Sequence, residues 1–449
     1  MSYEIKEIKK GIKIHFIQTN KFKTNLFAIF LTTPICRQTV TQTALIPAVL
    51  RMGTANLKSQ EKISIELENM FGATLDGGVE KIGDNQVIKF YLETLNDNYV
   101  PNNENLATKS IELLLDVIFN PLTENGGFKK EIVETEKNTI KRLIDGKIDN
   151  KDLYSYTRCI EEMYKDKPYG LYKYGYIEDL ASINEKNLYD DYKEIINEAK
   201  IDIFISGNFK SEQILDIISS NENIKKIQER NDTHIINTEE TEKKEKVEIK
   251  TIKEEKDVTQ GKLVIGLDID YNEPNSKYAM CIYNVILGES ATSKLFQNVR
   301  EKAGLAYSAR STYLRQKNNI FIRAGIEIKN YEKALNIIKE QLEDMKNGKF
   351  TDEDIANAKK YMIAGIKTLQ DEQDSEITYY IGQEISSKLL SFDEYTNKIN
   401  WVSREDVIKI ANSININTIY FLKIQYFLFI FLKFYNILIL YWILCYIIV

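Results

Sequence analysis

Residues 295–310, LFQNVREKAGLAYSAR, place an arginine and a tyrosine on either side of one glycine. Leu295, Phe296 and Val299 have the spacing of a short helix that carries Arg300 and Glu301 to its end. Gly304 supplies the break, and Leu305 through Ser308 start a strand. A guanidinium gives a planar fork of donors and a phenol a single directed one, so Arg300 and Tyr307 suit the task of holding a carbonyl or carboxylate. Taken alone, the same residues also read as a surface arginine and a strand tyrosine packed on a core.

Other catalytic groups are scarce. The chain has two histidines, His15 in an expected N-terminal strand and His234 in a charged stretch. Zinc hydrolases need two or three imidazoles converging on the metal beside a carboxylate, and no H-E-x-x-H, its inversion or any close His pair is present. His-ligated zinc catalysis by this chain alone is therefore not expected, and no metal or cofactor is implied. Cys36, Cys159, Cys281 and Cys445 form no C-x-x-C pair and read as small core hydrophobes. No nucleophile–base pair, phosphate loop or carboxylate cluster points to another chemistry.

The elements that must position Arg300 and Tyr307 belong to a folded chain. With 43% hydrophobic and 28% charged residues and only 6 prolines, the 449 residues suit two to three domains rather than a disordered polymer. A formal charge of −6 argues against general nucleic-acid binding. The N-terminal segment MSYEIKEIKKGIKIHFIQ lacks the uninterrupted apolar run of an export signal, which predicts a cytoplasmic protein.

Taken in order, residues 1–17 and 24–33 read as strands, 43–53 as an apolar helix closed by glycine, and 59–70 as a second helix with Gly72 behind it. A strand at 86–95, helices at 106–119 and 128–145, a Tyr-rich segment at 153–176, a helix at 184–199 and a strand at 201–206 follow. The second half repeats this order. Its strand at 261–270, glycine-closed helix at 278–288 and the run 295–321 around Gly304 mirror 24–33, 43–53 and 65–90. Helices at 331–345, 352–369, 376–390 and near Ser403 lead to a closing strand at 418–423. An α+β unit of about two hundred residues used twice is the expected architecture. The divisions drawn are 1–220, a charged linker at 221–257, 258–423, and a tail at 424–449.

The linker carries charges of both signs, as a solvated connector does. The tail, IQYFLFIFLKFYNILILYWILCYIIV, is long enough to span a bilayer yet contains no Gly, Ala, Ser, Thr or Pro. Its residue types favour a frameshifted or truncated reading over a genuine anchor, and membrane contact is expected only if the tail is genuine.

Two such halves with R-E-K-x-G-L-A-Y in the second resemble the pitrilysin/insulinase family of zinc peptidases with an inverted H-x-x-E-H motif, over roughly residues 5–423. The resemblance implies two homologous halves of the LuxS/MPP-like metallohydrolase fold, each an antiparallel sheet with helices on one face. It places the metal motif on the helix before Gly53-Thr54, where Ala44, Pro47 and Ala48 stand. Both histidines and the general base are absent there. The third ligand falls on the helix at 128–145, with Glu134, Glu136 and Asn138 all near the register. Arg300 and Tyr307 stand where the family's Arg and Tyr help bind the substrate backbone and support the transition state. The resemblance thus implies fold without hydrolytic chemistry.

A member that loses its metal and keeps this pair is similar to the non-catalytic partner in paired family members, where both chains enclose a peptide chamber. The expected function is a catalytically inactive subunit pairing with a zinc-bearing homologue around a peptide or unfolded polypeptide. The alternative is a purely structural scaffold with no peptide site. Similarity to zinc-less members in Gram-positive bacteria also implies a link to the 5-aminopentanol modification of elongation factor P, of which no residue here speaks.

Overall fold

The computed structural model describes residues 2–101, 104–230, 248–271, 273, 275–386 and 389–424. His234, Cys445 and the tail from residue 425 onward lie outside the described residues. The chain forms two compact units. One comprises Met1–Gly146, Asp166–Thr238 and Lys367–Leu390, the other Lys147–Lys165, Glu239–Ile366 and Ser391–Val449.

Unit 1 is built on strands β1 (Ser2–Lys9), β2 (Ile12–Gln18), β3 (Thr24–Pro34), β4 (Thr74–Ile82) and β5 (Asn85–Leu95), a short ribbon of β6 (Thr123–Glu124) and β7 (Gly127–Phe128), and β8 (Lys200–Gly207). The large sheet has the order β1-β2-β8-β3-β5-β4. Strand alternation sorts its two faces. Ile12, Ile14 and Phe16, Phe27, Ile29 and Leu31, and Ile201, Ile203 and Ile205 join one apolar core with the helices Val40–Leu50, Leu106–Phe119 and Glu185–Glu198. The intervening residues include Lys13, His15, Phe30, Asp202 and Phe204, and the helix Gln373–Ile385 covers part of that second face, against β8 and β3.

Unit 2 carries β9 (Lys250–Lys256), β10 (Gly261–Ile269), β11 (Ala306–Leu314), β12 (Asn319–Ile326) and β13 (Ile414–Ile424) in the order β11-β12-β10-β13-β9. On its apolar face the helix Ser276–Asn284 packs on β11 and Tyr331 of the helix Tyr331–Lys346 meets Phe421 of β13, while the helix Arg404–Ser413 packs against both of these helices. On the other face the helix Lys151–Met163 lies across β10 and β13. Gly266 permits this approach, because a Cβ there would meet Met163 Sδ at 2.7 Å.

The chain is therefore α+β with two units of like construction. Each sheet is antiparallel apart from one parallel pair, β2 with β8 and β9 with β13. Each unit also takes one helix from the other sequence half: Lys151–Met163 belongs to unit 2 and Gln373–Ile385 to unit 1. The segment read as a Tyr-rich stretch, 153–176, lies in that first helix only as far as Met163.

The stretch 221–257, expected to be a solvated linker, contains the helix Glu222–Lys226 and the whole of β9. Its charges did not prevent pairing because β9 is an edge strand, where exposed charged side chains are the usual composition. Among the described residues, no helix is long and apolar enough to cross a membrane.

Candidate functional site

The corner that carries the arginine and tyrosine is built the same way in both units. In unit 2, Leu295 and Val299 anchor a wide helical turn, Phe296–Lys302, in the core. Gly304 then adopts φ +61°, the left-handed conformation that glycine enters without a Cβ penalty. The Gly304 N–H donates to Arg300 O at 3.0 Å and the Leu305 N–H to Val299 O at 3.1 Å. In unit 1, Gly72 at φ +76° has its own N–H on Glu68 O at 3.4 Å, and the Ala73 N–H reaches Leu67 O at 3.0 Å. The mirrored glycines read from the sequence thus turn their corners with the same pair of hydrogen bonds.

Tyr307 departs from this symmetry. In the β11–β12 ladder, Ala306 pairs with Ile326 and Ser308 with Gly325, which leaves Tyr307 as the extra residue of a β-bulge. A bulge re-aims the side chain it carries, and Tyr307 is 82% exposed. The Arg300 guanidinium lies 6.0 Å from the Tyr307 ring and 4.6 Å from the Phe296 ring, with its Nε 3.4 Å from Glu301 Oε1. The two groups are brought together, both open to solvent, with donors available to a carbonyl or carboxylate.

The degenerate metal positions lie on the helix Val40–Leu50, which is buried almost all round. Ala44 and Ala48 are 2% and 8% exposed, and the helix runs through Pro47. None of the three side chains has a nitrogen, oxygen or sulfur to offer a metal. Of the three candidates for the third ligand, Glu136 is the buried one, on the face of Lys130–Asp145 that also carries Val133 and Ile140. Glu134 instead pairs with Lys137 at 3.0 Å, and Asn138 donates to Glu134 O. Burial raises the Glu136 pKa, against the lowering effect of Arg51. A zinc ion, which needs deprotonated ligands, does not fit this set. Among the described residues, no three His, Cys, Asp or Glu side chains are grouped so as to hold a metal ion.

Sequence reasoning missed a charged network on the second face of the unit 1 sheet. His15 is fully buried, with Nε2 3.0 Å from Asp202 Oδ1 and Nδ1 2.8 Å from the Tyr3 hydroxyl. Lys200 Nζ donates to Glu384 Oε2 at 2.8 Å and lies 3.4 Å from Asp202 Oδ2; Lys13 Nζ reaches Glu384 Oε2 at 3.0 Å. Burial alone would raise the Asp202 and Glu384 carboxyls, but Lys200 in both cases leaves them below the ordinary range. Two turns earlier on the same helix as Glu384, Glu376 is 1% exposed and neither carboxylate oxygen has a hydrogen-bond partner. Burial pushes its pKa up to about 7. The sequence signal was the K-x-D alternation at Lys200 and Asp202 inside an otherwise apolar strand.

Comparison with known proteins adds a family. The description "Peptidase M16 inactive domain" matches residues 182–362. The chain is 34% identical over 426 residues to a Bacillus subtilis protein named "Probable inactive metalloprotease YmfF", covering 94% of this chain and 99% of that one. It is 24% identical over 324 residues to another B. subtilis protein, "Uncharacterized zinc protease YmxG", covering 69% of this chain and 73% of the other. A crystal structure of a conserved protein from Enterococcus faecalis V583 superposes with a TM-score of 0.84 at 23% identity, over 95% of this chain and 99% of that one.

Proposed function

The chain belongs to the M16 peptidase family as a member without the metal donors, and from that premise we propose that it is a non-catalytic subunit. It pairs with a zinc-bearing homologue and supplies Arg300 and Tyr307 to a shared peptide-binding chamber. The observation that carries this reading is the contrast between two sites. Ala44, Pro47 and Ala48 have no donors left, while Arg300 and Tyr307 stand together and exposed at a bulged strand start. Holding Tyr307 out at 82% exposure forgoes the burial of a large ring, which is worth about 2 kcal/mol. A residue kept only for packing would not be held there.

The chemistry assigned to this chain is binding and orientation. The Arg300 fork and the Tyr307 hydroxyl donate to a peptide carbonyl or carboxylate, and the reacting groups come from the partner. Relatives named as an inactive metalloprotease and as a zinc protease support a family that contains both kinds of chain. A cytoplasmic location and a role near elongation factor P modification belong to the same proposal.

Co-expression with a zinc-bearing homologue, followed by sedimentation and a peptidase assay, tests it. The expected result is a complex with an interface above about 1,000 Å2, whose turnover needs both chains. Two independent monomers at micromolar concentration, or a partner equally active alone, would leave a scaffold as the reading.

A further inference from the structure

We propose that Arg310 and Arg323 form a carboxylate-binding subsite on the unit 2 sheet, taking an acidic side chain or the C-terminal carboxylate of a peptide. The two residues are directly opposite each other in the antiparallel ladder of β11 and β12. Like charges in that position destabilise a sheet, so the pair demands a reason. Both side chains share the face opposite the apolar core, because Ala309 and Ser311 of β11 and Ile322 and Ala324 of β12 are the buried alternates.

A single carboxylate serves both. Asp152, at the start of the helix Lys151–Met163, puts one oxygen, Oδ2, 2.8 Å from Arg310 Nη2 and 3.4 Å from Arg323 Nη1. Arg323 Nη2 donates weakly to Thr312 Oγ1 at 3.5 Å, its guanidinium lies 4.7 Å over the Tyr156 ring, and its buried Nε has no partner. Burial and the neighbouring Arg310 both lower the Arg323 pKa. The Arg310 side chain is 52% exposed. Each guanidinium has five N–H donors in a fixed fork, so most of these donors and one positive charge remain for a second carboxylate.

The position is favourable for a peptide. β11 is an edge strand, and Arg310 follows the bulged Tyr307 along it, with the exposed Ser308 between them on the arginine face. The inference rests on the reading that a peptide is held at Tyr307, and adds that this peptide carries a negative charge a few residues away. Asp152 is then the internal group that occupies part of the fork when no peptide is bound.

The test uses four decapeptides of Gly, Ser and Ala, N-terminally labelled with a neutral dye that has no carboxylate, with two central glutamates or two central glutamines, each as free acid and as C-terminal amide. Their fluorescence anisotropy is titrated with the full chain. Binding stronger on the order of tenfold for a carboxylate-bearing peptide than for its uncharged counterpart is expected, and the preferred arm identifies which carboxylate is read. Rising salt should erode that preference. Arg310→Gln should abolish it, and Arg323→Lys, which keeps the charge without the fork, should reduce it. Asp152→Asn should strengthen binding several-fold by removing the internal competitor. Arg300→Ala should weaken all four peptides alike and leave the ratio intact. Equal binding of the four peptides, or an unchanged preference in a folded Arg310→Gln chain, overturns the inference and leaves the peptide-holding role standing. Absence of binding by any peptide overturns both.

Discussion

The Arg300 guanidinium stands 6.0 Å from the Tyr307 ring across a corner turned by Gly304 at φ +61°. That geometry makes the pair separable from the fold. Arg300→Lys keeps the charge but loses the planar fork, and Tyr307→Phe keeps the ring but loses the donor. In a complex with a zinc-bearing homologue, each should lower turnover on the order of 10²–10³-fold, the usual loss when one transition-state donor is removed. Thermal unfolding of the complex should be unchanged, since both groups are exposed. Unchanged turnover in a folded complex would make the pair inherited architecture.

Gly304→Ala isolates the corner itself. A Cβ at Gly304 would meet nothing within 4 Å, so the whole cost is the left-handed backbone, about 1–2 kcal/mol. Denaturant unfolding measures it. If the chain escapes the cost by flattening the corner, Arg300 and Tyr307 separate, and peptide binding falls more than stability does.

The purified chain should hold no stoichiometric zinc and hydrolyse no peptide alone, because Ala44, Pro47 and Ala48 have no donor atoms. Restoring His, Glu and His at these positions should fail to recover a site. Imidazoles would have to enter places where the alanines are 2% and 8% exposed, and overpacking of that kind typically costs about 1–3 kcal/mol. Metal analysis decides: one tightly held equivalent of zinc with peptidase turnover contradicts the assignment.

Glu376 predicts a pH dependence of opposite sign to that of its neighbours. Its folded pKa, about 7, lies above the ordinary 4.5, so the folded state binds the proton more tightly. The stabilising contribution of the protonated group is fully present below the ordinary value and is lost as pH rises from about 4.5 to about 7. Glu376→Gln should match the wild type near pH 4.5 and exceed it above pH 7 by on the order of 3 kcal/mol. Asp202 and Glu384, held below their ordinary values, act the other way and lose their contribution as pH falls. The difference between wild type and Glu376→Gln, followed by thermal melts across that range, cancels their part. A pH-independent difference would remove Glu376 as its source.

The sequence by itself determined the local features. The left-handed corners at Gly72 and Gly304, the apolar alternation of β3, β8 and β10, the repeated element order and the empty donor set at Ala44, Pro47 and Ala48 are properties of neighbouring residues. Propensity, periodicity and side-chain chemistry act over that range. The approach of Arg300 to Tyr307 was legible for the same reason, because one short turn joins them.

What only the tertiary structure decided concerns residues far apart in the chain. Glu134, Glu136 and Asn138 share one helix, and only packing against Val40–Leu50 turns Glu136 inward with Val133 and Ile140. The helices Lys151–Met163 and Gln373–Ile385 join units that their place in the sequence does not suggest. Glu384 of the second is buried against Lys200 in one unit, and Arg158 of the first pairs, half-buried, with Glu254 in the other. The bulge that turns Tyr307 outward exists only against the register of β12. Burial, register and pairing are relations between distant segments, and a single sequence does not contain them until the chain brings those segments together.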